Sequence, residues 1–174
     1  IPLGRLRETK SGAKRASIIL ITKCPKNLSK TARQEISKRI NPLPNQSVFF
    51  TSIAYHKKLL NRQKEKALAS LSSSFFLITG IANPEPLVEF LKEEGKIFEH
   101  LNYPNHHEFK PEEIEEIKKR KQAQTIVTTE KDFGRLESYF SSEELFYLPI
   151  TMEFLEEKEA KEFKTLVVSS ITKN

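Results

Sequence analysis

Short apolar runs rich in β-branched residues alternate with stripes of helical period along most of the chain. A continuous apolar run of this length is typical of a strand buried on both faces, as in a parallel sheet. We expect strands at 16–22, 48–55, 75–81, 97–101, 125–128 and 145–148. Helices are expected at about 30–40, 84–94, 111–121, 129–136 and 154–171. This alternation predicts an α/β fold, with a mostly parallel sheet and flanking helices.

Two interruptions of the pattern divide the chain. A Pro-rich breaker at 41–45 and a serine run at 70–74 flank a segment that turns polar and basic after residue 55. We therefore predict four parts: residues 1–45 from one domain, an extended linker ribbon at 46–70, a small α/β domain at 71–153, and an amphipathic C-terminal helix at 154–174.

Composition narrows the class of protein. The 174 residues are 37% hydrophobic and 30% charged, which is enough apolar material for a packed core. The single Cys24 excludes an intramolecular disulfide and a cysteine-based zinc site, and fits a reducing compartment. The net charge of +6 suits an anionic partner without selecting one. Because the chain opens on Ile1 without an initiator methionine, we expect it to be a piece of a longer protein.

Polar segments follow three of the predicted strands, at 82–85, 102–109 and 129–132. Ligands of open α/β sheets bind beyond the carboxyl ends of the strands. We expect these segments to lie along one edge of the sheet, beside helix N-termini that favour anionic groups.

His106 and His107 are the strongest local feature of that edge. In one interpretation both imidazoles are structural, capping helices or bonding backbone groups. In the other, one of them is a general base or proton relay, because histidine titrates near neutral pH. Neighbouring histidines on an extended loop point in different directions, so joint binding of one metal ion is not expected. Asn105 is placed to orient such a ring.

The remaining candidates each have two interpretations. Thr129 and Asp132 fit a helix cap with an acidic first turn, while Lys131 is long enough to reach a phosphate. Lys23, at the end of the first strand, is either solvated or in contact with a nucleotide. No Gly-x-x-x-x-Gly-Lys-Ser/Thr pattern is present, so the residues alone give no complete catalytic set.

Five segments in order resemble one family across nearly the whole chain. They are IPLGRLRE at 1–8, RASIILITK at 15–23, GIANP at 80–84, YPNHHEF at 103–109 and TTEKD at 128–132. These resemble the LPxGxLRE, RAdxiiiTK, GIgNP, fpDHHxf and TTEKD motifs of the tetraacyldisaccharide 4'-kinases, the lipid A kinases of Gram-negative bacteria.

The resemblance implies ATP- and Mg²⁺-dependent transfer of phosphate to the 4'-hydroxyl of a lipid A disaccharide precursor. It implies a glycolipid substrate and work at the cytoplasmic face of the inner membrane, without nucleic acid; it indicates no protein partner. The family's Walker A loop and catalytic Asp lie upstream of its LRE segment and are absent here. Residues 1–45 would then be the end of a P-loop NTPase-like nucleotide-binding domain, and the piece alone would be inactive.

The resemblance also suggests roles for single residues. His106 matches the family histidine that works with the upstream Asp to activate the sugar hydroxyl, and Asn105 stands where the family has Asp. Arg7 and Glu8 match positions that face the nucleotide and the metal ion. Phosphoryl transfer relies on positioning and charge neutralisation, which suits these residue types.

A different class of function is a non-catalytic basic module that binds anionic membrane lipid or RNA. It would use the lysines and arginines of 1–15 and 56–66. For membrane contact, Phe49, Phe50 and Tyr55 are placed either against lipid headgroups or in a core. The sequence has no aromatic signature of RNA binding, which favours the kinase.

Overall fold

A computed structural model describes residues 10–71 and 74–172, in which strands and helices alternate as predicted. The strands are β1 (Ile18–Ile21), β2 (Ser47–Tyr55), β3 (Lys58–Leu60), β4 (Glu65–Ala67), β5 (Phe75–Thr79), β6 (Phe98–Asn102), β7 (Ile126–Thr129), β8 (Leu145–Leu148) and β9 (Ile150–Phe154). The α-helices are α1 (Lys30–Ile40), α2 (Glu85–Glu93), α3 (Pro111–Lys121), α4 (Glu130–Leu136) and α5 (Glu157–Ile171). Two short 3-10 helices occupy Lys10–Arg15 and Leu68–Ser70.

The described residues form two compact units. The first contains the residues up to Ala54 and those from Met152 onward, and the second is Tyr55–Thr151. Both combine strands with helices, so the predicted α/β class is confirmed.

The first unit is built on a three-stranded sheet in the order β1-β2-β9. β1 runs parallel to β2, as its apolar sequence predicts, with Ile18 opposite Ser47. All four residues of β1 are only half-buried, however, because β1 lies at an edge of this sheet. The expectation that this strand is buried on both faces is therefore wrong for the described structure.

An aromatic cluster fills the first unit. The ring of Phe49 packs edge-on against those of Phe154 and Phe163, with centroids 6.0 and 5.5 Å apart. Phe49 and Phe50 are buried, which overturns the alternative that these two rings touch lipid headgroups. Phe154 belongs to β9 rather than to the predicted helix over 154–171, since that helix begins at Glu157.

The second unit contains a six-stranded sheet in the order β4-β3-β8-β7-β5-β6. β5 is parallel to both β6 and β7, and β7 is parallel to β8. The basic segment after residue 55 forms the antiparallel β3–β4 hairpin, which joins the sheet through β8. The prediction of a mostly parallel sheet is thus confirmed in this unit.

Strand β5 separates two hydrophobic cores. Phe75 and Leu77 face a core that includes Leu87 and Leu91 of α2. Phe76 and Ile78 face the opposite core, to which α3 contributes Ile114 and Ile117 and α4 contributes Leu136. With apolar layers on both sides, the carboxyl end of β5 has a fixed position.

An ion pair between a buried lysine and a partly exposed glutamate joins the end of α3 to the loop before β8. The ammonium group of Lys121 lies 2.6 Å from a carboxylate oxygen of Glu144, and its side chain is only 3% exposed. The Lys121 ammonium, followed by Ser141, lowers the pKa of Glu144 from 4.5 to about 2. Because the ionised form is favoured in the folded state, this pair stabilises the fold.

We predict that Glu144→Gln lowers the free energy of unfolding at pH 7 by about 1–2 kcal/mol, since Lys121 loses its charged partner while Glu144 is partly screened by solvent. The pKa of Glu144 is lowered on folding, so its contribution is complete above pH 4.5 and is lost as the pH falls towards about 2. Urea unfolding across that range should show the difference between the two proteins shrinking.

The exposed pair Lys58–Glu65 provides the control. Glu65→Gln should change stability by less than about 0.5 kcal/mol at pH 7. Equal effects of the two substitutions, or a Glu144→Gln effect that does not depend on pH, would contradict the assigned role of the Lys121–Glu144 pair.

Candidate functional site

The carboxyl ends of β5, β6 and β7 lie side by side in the second unit. Thr79 pairs in register with Asn102, and Ile78 pairs with Thr128. The segments that follow these strands therefore meet at one edge of the sheet, as predicted.

Asp132 is the buried centre of this edge. Its side chain is 0% exposed, and one carboxylate oxygen accepts hydrogen bonds from the backbone N–H of Gly80 at 2.7 Å and from the hydroxyl of Thr129 at 2.8 Å. The other oxygen lies 3.0 Å from the guanidinium of Arg135. Three protein donors thus satisfy this carboxylate, which is the condition for burying a charge at acceptable cost.

Thr129 begins α4 as the predicted helix cap. Its side-chain oxygen accepts the backbone N–H of Asp132 at 3.2 Å, while its backbone is extended. This geometry satisfies one of the free N–H groups at the start of the helix. The polar side-chain atoms of Thr129 and Asp132 therefore form hydrogen bonds with each other and with neighbouring protein groups, which fits the structural interpretation of both residues.

The loop after β6 is fixed to the end of β5 by its backbone. The N–H of Tyr103 donates to the carbonyl of Thr79 at 2.7 Å, and the N–H of His106 donates to the carbonyl of Gly80 at 3.2 Å. A Cβ atom on Gly80 would approach Asp132 Oδ1 to 3.2 Å and the carbonyl oxygen of Pro104 to 3.4 Å. Glycine thus allows the loop and the carboxylate to approach the strand end closely.

The two histidines have different environments. His107 is half-buried, stacks on Tyr103 with centroids 4.7 Å apart, and places Nε2 2.9 Å from a carboxylate oxygen of Glu113. The backbone N–H of Lys110, followed by His107, lowers the pKa of Glu113. His107 therefore fits the structural interpretation.

His106 is exposed and lies against a guanidinium. Its Nδ1 atom is 3.4 Å from a terminal nitrogen of Arg135, and its backbone φ of 65° lies in the left-handed region. Lys131 is also exposed, and its ammonium donates to the side-chain oxygen of Asn105 at 2.8 Å. The loop after β6 thus has an imidazole in contact with one cation, Arg135, and a neighbouring amide in contact with another, Lys131, and two cations suit an anionic ligand.

Sequence reasoning missed Arg135. The residue lies three positions after Asp132, so on a helix it shares the face of that carboxylate. The three-residue spacing could have predicted an ion pair between Asp132 and Arg135. That prediction would have mattered only if Asp132 were known to be buried.

A second network that was not predicted lies on the neighbouring strands. The hydroxyl of Thr79 is 2.8 Å from Nε2 of His100 and donates to Asn102 at 3.2 Å. The hydroxyl proton is used on Asn102, so Nε2 of His100 is the donor to Thr79. Burial lowers the pKa of His100, consistent with a neutral ring.

Of the predicted site residues, the described edge contains His106, Thr129, Lys131 and Asp132. Arg7 and Glu8 lie outside the residues that the structure describes. Lys23 belongs to the first unit, where it follows β1 with a left-handed φ of 59° and is exposed. No group of three or more potential metal ligands occurs within 10–71 and 74–172.

The comparisons with known proteins identify the family. A family model described as tetraacyldisaccharide-1-P 4'-kinase matches residues 1–170. The chain belongs to this family. The resemblance of the five sequence segments to these kinases is thereby confirmed.

Relatives in the kinase family cover the chain almost completely. The tetraacyldisaccharide 4'-kinase of Flavobacterium johnsoniae is 40% identical over 156 residues, covering 89% of this chain and 45% of the relative. That of Flavobacterium psychrophilum is 40% identical over 177 residues, covering 99% and 51%. The chain spans about half the length of the curated relatives it matches.

The fold is shared with a solved member of the family. The crystal structure of the "apo" form of LpxK from Aquifex aeolicus, in complex with ATP, has a TM-score of 0.58 and 18% sequence identity. The match covers 97% of this chain and 47% of that chain.

We predict that Gly80→Ala lowers the free energy of unfolding by about 1–3 kcal/mol, because the added methyl group lies 3.2 Å from Oδ1 of Asp132, a carboxylate whose three hydrogen-bond donors leave it little room to move. Gly134→Ala is the matched control: it lies in α4 with nothing within 4 Å of an added Cβ. That substitution should raise the free energy of unfolding by about 0.5–1 kcal/mol. Chemical denaturation measures both, and a tolerated Gly80→Ala would show that the close approach imposes no constraint.

Proposed function

We propose that this chain is the C-terminal part of a kinase that transfers the γ-phosphate of ATP to the 4'-hydroxyl of a tetraacyldisaccharide 1-phosphate in lipid A biosynthesis. Family membership over residues 1–170 supports the reaction class. One observation links the proposal to named residues: at the carboxyl edge of the sheet, the exposed His106 contacts Arg135 and its neighbour Asn105 contacts Lys131.

The chemistry of phosphoryl transfer fits these groups. The reaction depends on positioning and on neutralising charge that spreads over the phosphate oxygens. Two cationic side chains and an imidazole can bind such oxygens, and the loop that carries His106 is fixed to β5 by the Gly80 carbonyl. We propose that His106 contacts the reacting groups and that Arg7 and Glu8 face the nucleotide.

The residues of this chain do not by themselves fit ATP and Mg²⁺. The sequence has no P-loop pattern, and the described residues have no cluster of metal ligands. We therefore propose that the nucleotide and the metal ion are held chiefly by other parts of the kinase. Residues 1–174 alone would then not phosphorylate the glycolipid.

The proposed place of work is the cytoplasmic face of the inner membrane. An acylated substrate requires contact with a lipid surface, and the net charge of +6 suits anionic headgroups. No described helix is long and apolar enough to cross a bilayer.

In the full-length protein, we predict that His106→Ala reduces 4'-phosphorylation by about 10²-fold or more, since the residue contacts the reacting groups. His107→Gln is the matched control, because this neighbour packs on Tyr103 and Glu113 and should leave the rate within a few-fold. A lipid kinase assay measures both. Near-normal turnover of His106→Ala would contradict the proposed contact.

The chain of 174 residues should show no 4'-kinase activity above background in the same assay. Turnover by the chain alone would contradict the proposed division of the active site. Inactivity of the full-length protein, combined with salt-sensitive binding of this chain to anionic vesicles or RNA, would favour a non-catalytic binding module instead.

A further inference from the structure

Asp132 is the only aspartate in a sequence with 23 acidic residues; all the others are glutamates. Its side chain is 0% exposed, and within residues 10–71 and 74–172 it is the only buried acidic residue. Acidic side chains are almost never fully buried unless they have partners. The chain therefore places its single short carboxylate at the one described position where protein encloses a carboxylate completely.

Burial excludes Asp132 from direct contact with a substrate or a metal ion. One oxygen accepts hydrogen bonds from the backbone N–H of Gly80 at 2.7 Å and from the hydroxyl of Thr129 at 2.8 Å. The other oxygen is paired with Arg135 at 3.0 Å. Any part that Asp132 plays in turnover must therefore be indirect, through the groups that its carboxylate holds.

The hydrogen bond to Gly80 connects this carboxylate to the loop that carries His106. The N–H of Gly80 donates to Asp132, and the carbonyl of Gly80 accepts the N–H of His106 at 3.2 Å. One glycine thus stands between the buried carboxylate and the backbone of the histidine. Because a satisfied buried network is rigid, a displacement of Asp132 moves Gly80 and, with it, His106.

His106 needs such support because of its backbone conformation. Its φ of 65° lies in the left-handed region, which a residue with a side chain adopts only when its surroundings hold it there. The start of the loop is bound to β5 separately, by the N–H of Tyr103 on the carbonyl of Thr79 at 2.7 Å. The bond to Gly80 therefore fixes the histidine itself.

The residue before Asp132 supports the same loop from outside. The ammonium of the exposed Lys131 donates to the side-chain oxygen of Asn105 at 2.8 Å. Water competes with this exposed contact, whereas the bond between Asp132 and Gly80 is enclosed by protein. The TTEKD segment at 128–132 thus supports the loop at two successive residues, and the inner contact is the stronger of the two.

We propose that Asp132 is a positioning residue, which fixes the backbone of His106 through Gly80. This gives the TTEKD segment its role, as the support of the loop that follows β6. A glutamate would not serve, since its additional methylene group has no free space in a site with 0% exposure. The effect on turnover rests on the proposed kinase function of His106, whereas the hold on the loop does not.

The hold on the loop is tested by hydrogen exchange of the full-length protein, measured by mass spectrometry. Asp132→Asn keeps the shape of the side chain and replaces one acceptor oxygen with an NH₂ donor. Peptides covering 76–84 and 102–109 should then exchange about 10-fold faster, because local opening becomes easier. Peptides covering α3 should keep their rate. Unchanged exchange of 102–109 in folded Asp132→Asn would overturn the proposal.

Glu137→Gln is the matched control, since it removes a carboxylate at the other end of α4. Glu137 is paired with Arg62 at 2.5 Å. The control should leave the exchange of 102–109 and the kcat of the full-length kinase within about two-fold of wild type. Equal changes in the two variants would overturn the specific role of Asp132.

Turnover gives a second test. In the full-length kinase, Asp132→Asn should lower kcat by about 10–10²-fold with little change in KM, because a reacting group displaced by about 1 Å loses about that much rate. Asp132→Glu restores the charge but not the position, and should not recover the rate. A thermal melt shows which variants are folded at the assay temperature. Normal kcat in folded Asp132→Asn, or full recovery in Asp132→Glu, contradicts the positioning role.

Thr129→Val provides a milder variant in case Asp132→Asn does not fold. It removes one of the three donors and leaves the carboxylate in place. The same peptides should exchange faster, and kcat should fall by about three-fold or more. If the folded variant shows neither change, the proposal fails.

A double-mutant cycle shows whether Asp132 acts through His106. Added to His106→Ala, Asp132→Asn should lower kcat by less than about three-fold further, whereas an equal loss with and without His106 would refute the proposal. A normal rate for His106→Ala alone would instead contradict the proposed function. The exchange measurement would still decide whether Asp132 holds the loop.

Discussion

The buried carboxylate of Asp132 is the group on which the arrangement of the site depends. Leaving a charge in the interior costs several kcal/mol unless donors surround it. Here one donor comes from the distant end of β5, and two come from α4 and its cap. Gly80 directly follows β5, Thr129 caps α4, and Arg135 contacts His106. Hydrogen bonds to the two carboxylate oxygens of Asp132 therefore connect the end of β5, the start of α4 and the guanidinium of Arg135.

The sheet makes this electrostatic arrangement rigid. β5 is buried along its whole length, with α2 covering one face and α3 the other. α4 has only seven residues, too few to be a stable helix alone. It persists because Leu136 packs into one of the cores and because Thr129 and Asp132 fix its first turn. Hydrophobic packing thus fixes the positions of the strand ends, and the hydrogen bonds of Asp132 fix the loop and side chains that follow them.

The adjacent histidines show how tertiary contacts separate chemically identical side chains. His107 is covered by Tyr103 and Phe109 and has Glu113 as a partner, so its ring serves the loop. His106 has a cation as its neighbour and faces outward. The neighbouring groups, rather than the residue type, therefore separate a ring that packs into the loop from one that is open to a ligand.

The sequence by itself determined the α/β class, the positions of most strands and helices, and the meeting of three strand ends at one edge. These follow from apolar period and from the direction of parallel strands, which are local properties. It missed β9, placed β1 in a fully buried setting, and did not find Arg135. The burial of Phe49 and Phe50, the edge position of β1 and the contacts of Asp132 depend on residues distant in the chain. Only the tertiary structure decided these features, because neither the order of strands in a sheet nor the partner of a buried charge produces a periodic pattern of residues in the sequence.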